Sequence, residues 1–298
     1  MAVDPTILNP LANQIFIPVV WRVIWVFALG FLLIITLNKF RLRGIWRGEL
    51  GKRYLSWLVL ALLYLFTIFL GGNFSLIILA LLLVFAIWEF SAISKIPKSY
   101  EISMYVLAVI SVVVASYFQL YFYALPLIYF AVVSYITIRR NDAKQGFHYN
   151  SITLYALIWI VFSLSHFVLL GHLNNDLDQK LFGYNTKALL VLLGFAVPLS
   201  DVGAYVVGKF FHKTGFLDQY KIASKISKNK TFVGVAGNII GALLGLWIMW
   251  FALRFYLPWW HLIIIALFVG YYSSVGDLIK STFKRFYHVK DSGKMLPG

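Results

Sequence analysis

The stretch LIIIALFVGYYSSVGDLIKS, residues 262–281, decides the fold class. It is a very apolar segment of the length that crosses a bilayer, for which about 20 apolar residues are needed. Only its end turns polar, with Ser273, Ser274, Asp277, Lys280 and Ser281. The rest of the chain repeats the apolar feature. Hydrophobic residues make up 61% of the 298 positions and charged residues 12%, with a mean hydropathy of +0.82. A soluble domain carries about 25% charged residues, so the soluble classes are excluded. The abundant Phe, Tyr and Trp suit the membrane–water interface. The expected fold is all-α, a polytopic membrane protein.

Nine apolar segments are expected, at roughly 16–37, 55–70, 74–90, 102–119, 121–138, 151–171, 187–211, 232–257 and 261–280. The second and third are short and flank GGN at 71–73, which suggests tilted spans or a hairpin. The connections alternate in charge. Those at 38–54, 95–98, 139–144 and 209–230, with the C-terminal tail, hold 22 of the 26 Lys and Arg. The positive-inside rule then places the N-terminus outside and the C-terminus in the cytoplasm. The same rule accounts for the net charge of +15 without a nucleic-acid partner. No cysteine is present, which excludes disulfide and thiolate chemistry. MAVDPTILNP at 1–10 lacks the basic start of a cleaved signal peptide, so the first spans are expected to do the targeting.

Composition shifts along the chain. Residues 1–186 read as a greasy scaffold, with Glu89 at a helix end. Residues 187–298 read as the working half, with a cytoplasmic loop at 209–231 and a basic tail.

Three stretches of that half carry chemistry. In PLSDVGAYVVGKFFHK, 198–213, Asp201 lies inside a span, where a carboxylate faces protein or a wet cavity. Tyr205 is four residues on, hence on the same face. Pro198 is expected to kink the helix. A structural Asp paired with a nearby cation is the alternative. In LDQYKIASKISKNKTFVGVAGN, 217–238, Lys221, Lys225, Lys228 and Lys230 alternate with Ser224, Ser227 and Thr231. Lysines bind phosphate as point charges and hydroxyls add neutral donors. Cytoplasmic charge against anionic lipid explains the spacing equally well. Gly237, Gly241 and Gly245 follow at intervals of four, a pattern for close helix packing. In SSVGDLIKSTFKR, 273–285, Ser274, Asp277, Ser281 and Lys284 share one helical stripe. An Asp with hydroxyls suits Mg²⁺, which takes oxygen ligands together with substrate phosphates; a polar helix end is the plain alternative. Asp201 and Asp277 both fall in the cytoplasmic third of the membrane. The six histidines show no metal-binding spacing.

DVGAYVVGK, KISKNKT, SSVGDLIKSTFKR and VKDSGKMLPG occur here in the order that resembles the phosphatidate cytidylyltransferases, the CDP-diacylglycerol synthases. The resemblance covers roughly 195–298. It implies transfer of CMP from CTP to phosphatidate, releasing pyrophosphate, with Mg²⁺ and a monovalent cation such as K⁺. It implies that Asp277 is a metal ligand with Ser281 nearby. It implies that Lys225, Ser227, Lys230 and Thr231 form a nucleotide-phosphate loop, and that Lys284, Arg285, Lys290 and Asp291 complete the polar site. Asp201 and Tyr205 are expected to bind substrate. The family continues after Pro-Gly with HGG and a DRxD segment that supplies a second metal-binding Asp, whereas this sequence stops at Gly298. Val233 stands where the family has Glu, and Ser224 and Asn229 replace Pro and Lys. The ending reads as an incomplete form of an active enzyme or as a short relative with altered activity. The expected setting is a bacterial plasma membrane, with a homodimer as the expected assembly. Two other classes stay open: an ion-coupled transporter, which Asp201 and Pro198 would serve, and an inactive binder of anionic lipid.

Overall fold

The computed structural model describes residues 10–37, 48–70, 72–172, 186–214, 221–227, 230–252 and 258–289. Among these, regular structure is helical apart from one isolated bridge, Lys221 to Thr231. In chain order the helices are α1 Phe16–Leu37, α2 Glu49–Leu70, α3 Gly72–Ser94, α4 Lys98–Tyr117, α5 Leu125–Arg140 and α6 Ala143–Ala156. A π-helical turn, Leu157–Phe162, joins α6 to α7, Ser163–His172. Then come α8 Thr186–Thr214, α9 Phe232–Met249 and α10 Trp260–Phe286.

Nine helical stretches among the described residues are long and apolar enough to cross a membrane, in agreement with the nine expected segments. Several differ from the expectation in length, the sixth (Ala143–Leu170) and ninth (Trp260–Phe286) among them. The short second and third segments are full spans, Gly51–Leu70 and Phe74–Ser94. Lys52 and Arg53 belong to the first turns of α2 and are exposed. Pro198 lies inside α8, which runs from Thr186 to Thr214.

The chain packs as two compact units, one of residues 1–69 with 178–298, the other of residues 70–177. In the second unit the turns follow from sequence. Lys95 and Asn141 take left-handed backbone, φ 51° each, where α3 and α5 stop. The Asp142 carboxylate accepts from the Gln145 amide and so caps α6. Buried hydroxyls pair across helices: Tyr100 with Thr137 at 3.0 Å, and Tyr129 with Ser111.

The first unit centres on α8, α9 and α10. A β-carbon added to Gly245 would come within 2.6 Å of the Phe195 carbonyl oxygen, and one on Gly237 within 2.7 Å of that of Gly203. On Gly241 it would run into the Leu199 carbonyl. Gly270 of α10 lies as tightly on Ile239 of α9. The glycine stripe therefore serves packing, as its spacing predicts: without side chains the backbones touch, and dispersion between them replaces the missing hydrophobic drive in lipid. Two further helices attach by hydrogen bonds to backbone. Arg22 of α1 donates to the Ile248 carbonyl at 3.0 Å and lies over the Phe251 ring at 3.8 Å. Tyr64 of α2 donates to the Leu190 carbonyl at 2.6 Å.

Candidate active site

Three pieces of the first unit converge: the middle of α8, the segment leading into α9, and the middle of α10 with its C-terminal end. The segment 221–231 is held by backbone. Ile222 donates to the Lys230 carbonyl at 3.1 Å, and Ile226 and Ser227 both donate to the Ala223 carbonyl. Thr231 starts α9 as its N-cap, its hydroxyl accepting from the Gly234 amide at 3.2 Å. Lys230 is thereby fixed at the mouth of α9. Its ammonium donates to Asp277 Oδ2 at 2.5 Å, an ion pair whose side chains are 26% and 46% exposed.

One helical turn before Asp277, Ser273 donates to Asp201 Oδ1 of α8 at 2.9 Å. Among the described residues the hydrogen-bond partner of Asp201 is thus the Ser273 hydroxyl. The two carboxylates are close enough to act on each other electrostatically, and Lys230 and Lys280 act on Asp201 as well. Between the two pairs, Ser274 is buried and accepts from the Asn238 amide of α9 at 2.8 Å. The arrangement has two carboxylates, hydroxyls and ammonium groups where three helices meet. Its carboxylates and hydroxyls offer only oxygen atoms. Among the described residues no group of three His, Cys, Asp or Glu gathers to hold a metal.

The other expected residues fall around this centre. Ser281 and Lys284 follow Asp277 on α10, both half-buried. Arg285 reaches back to the loop, its Nε donating to the Ile226 carbonyl at 3.4 Å, which ties the end of α10 to Lys225 and Ser227. Tyr205 is exposed on α8 and its hydroxyl accepts from Lys209 at 3.3 Å. Lys290 and Asp291 lie outside the described residues. Sequence reasoning passed over Ser273 and Asn238. Ser273 stands four residues before Asp277, which already places it on that helical face. Asn238 is an amide between two packing glycines in an apolar span, a visible signal for a partner on another helix.

Comparison with known proteins matches residues 51–298 to the model of the cytidylyltransferase family. The chain belongs to that family. Its match begins in α2 and includes every residue of the site just described. Relatives within the family include the phosphatidate cytidylyltransferase of Bacillus subtilis (strain 168), 38% identical over 123 residues, which is 41% of this chain and 42% of that protein. The phosphatidate cytidylyltransferase of Staphylococcus saprophyticus is 38% identical over 109 residues, 36% of this chain and 40% of its own. That of Staphylococcus aureus (strain COL) is 34% identical over 122 residues, 40% and 45% respectively. The matched part therefore spans less than half the length of these curated relatives.

Proposed function

We propose that this chain transfers CMP from CTP to phosphatidate, forming CDP-diacylglycerol and pyrophosphate, at the cytoplasmic face of a bacterial plasma membrane. The observation that carries the reading is the Lys230–Asp277 pair beside the Asp201–Ser273 pair, in a chain of the cytidylyltransferase family. The names and bacterial sources of its relatives support the substrates and the membrane.

The chemistry asks for charge management. A lipid phosphate oxygen attacks the α-phosphorus of CTP, one P–O bond forms, and the bond to the departing pyrophosphate breaks. A phosphomonoester has its second pKa near about 6, so the nucleophile is already ionised at neutral pH and no strong base is needed. Two anions must instead be brought together. Lys230, with Lys225, Ser227 and Thr231 around it, is suited to bind the nucleotide phosphates. Ser281, Lys284 and Arg285 extend the same polar surface, and Lys290 and Asp291 are assigned to it from sequence. Asp201 and Tyr205 are assigned to substrate.

Asp277 would supply a hard oxygen ligand of the kind Mg²⁺ takes, usually with substrate phosphates completing the shell. Asp277 is about half exposed. Mg²⁺ there would neutralise charge on the phosphates. A monovalent cation such as K⁺ belongs to the same assignment.

The test is CTP-dependent conversion of phosphatidate by the purified chain in Mg²⁺, with Asp277→Asn alongside. Conversion is expected, reduced by about 10²–10³-fold in the variant, the usual loss of one preorganised charge. A folded parent chain that forms no CDP-diacylglycerol would overturn the proposal.

A further inference from the structure

We infer that Asn238 is a positioning residue, which through Ser274 sets the rotation of α10 so that Asp277 meets Lys230 and Ser273 meets Asp201. The inference deepens the proposed function, since it rests on Asp201 and Asp277 being the carboxylates of the site. Asn238 is 1% exposed and Ser274 4%, and the amide donates to the hydroxyl at 2.8 Å. Asn238 is not needed for close packing. Gly237, Gly241 and Gly245 already bring α9 onto α8, and Gly270 brings α10 onto Ile239. A buried amide is costly where it is not satisfied. Here Asn238 Oδ1 has no hydrogen-bond partner among the described residues, nor has the Ser200 hydroxyl, also fully buried. An apolar residue at 238 would avoid that cost.

What the amide contributes is direction. Successive residues on a helix are about 100° apart. Ser273 and Ser274 therefore point to different neighbours, Asp201 and Asn238. Asp277, one turn on, points to Lys230. Turning α10 by one residue would break all three contacts at once. Apolar surfaces slide on one another with little preference, whereas a single buried polar pair selects one register, as a lone Asn does in a coiled coil. Asn238 also lies two turns into α9, the helix whose first turn carries the Thr231 cap and whose entrance holds Lys230. One short stretch of α9 thus both presents the lysine and orients the carboxylate it binds.

Because the chain has no cysteine, two introduced cysteines can carry spin labels without background. Labels at Phe210 on α8 and Phe286 on α10, both exposed, report the rotation of one helix against the other. The parent chain in lipid nanodiscs is expected to give one narrow distance distribution. Asn238→Leu, of similar volume, and Ser274→Ala, which removes one oxygen, should each broaden or displace it while the protein still elutes as a single folded species. Ser274→Ala is the milder change and keeps the test open if the leucine variant does not fold. In the same preparations kcat/KM for CTP should fall by about 10- to 100-fold, as expected of misplacement by up to about 1 Å. Distance distributions in the folded variants that coincide with the parent's would overturn the inference. A parent that turns over no CTP would overturn the proposed function, while the distances would still decide the role of Asn238.

Discussion

Lys230 and Asp277 are 47 residues apart in sequence and meet where the segment leading into α9 reaches α10. Their pair is half open to water, and such pairs add at most about 1 kcal/mol to stability. Under the proposed function its value lies in the reaction. Lys230→Ala is therefore expected to leave the thermal midpoint nearly unchanged while lowering turnover by about 10²-fold, the scale of one lost phosphate-facing charge. Melting curves and CTP kinetics on one preparation check both halves of that statement, and a large drop in midpoint with turnover intact would make Lys230 a structural residue. Ser273 deserves the same treatment for a different reason. Its hydroxyl is the donor to Asp201, so Ser273→Ala should weaken turnover through the carboxylate of α8 without touching Asp277.

At the scale of elements, the glycines of α9 separate packing from propensity. Adding a methyl at Gly241 or Gly245 drives it into the backbone of α8, and overpacking of this kind costs about 1–3 kcal/mol. Gly208 of α8 has nothing within 4 Å of the added carbon. Gly208→Ala is expected to be neutral or to stabilise by up to about 0.5–1 kcal/mol, through helix propensity alone. Unfolding in graded denaturant should rank Gly241→Ala below the parent and Gly208→Ala level with it or above. Arg22 acts on another element. It satisfies a last-turn carbonyl of α9 and so ties α1 to the helix that carries Asn238. Arg22→Ala should raise proteolytic and hydrogen-exchange rates in α1 before any change in α9 or α10.

For the whole molecule, the alternating charge of the connections predicts an orientation, with 221–227 in the cytoplasm and the turn Gln119–Ala124 outside. Single cysteines in this cysteine-free chain can test it. Tyr121→Cys should react with an impermeant maleimide in intact cells, and Ser224→Cys only after permeabilisation. The reverse pattern would invert the topology and place the polar site on the wrong side for cytoplasmic CTP.

The sequence by itself determined the membrane class, the nine spans, the packing role of the glycine stripe, and Asp201, Asp277 and Lys230 as the groups worth watching. These follow from local sums, namely apolar length, charge per connection and small residues at intervals of four. The tertiary structure alone decided who meets whom: Asp201 takes a hydroxyl 72 residues away, Asp277 takes Lys230, and Asn238 takes Ser274. The physical reason is rotation about helix axes. In a soluble helix the apolar face marks the interior, but lipid and protein core are equally apolar, so hydropathy carries little record of which way a membrane helix turns. That angle is set where backbones touch and where a few buried polar atoms find one another.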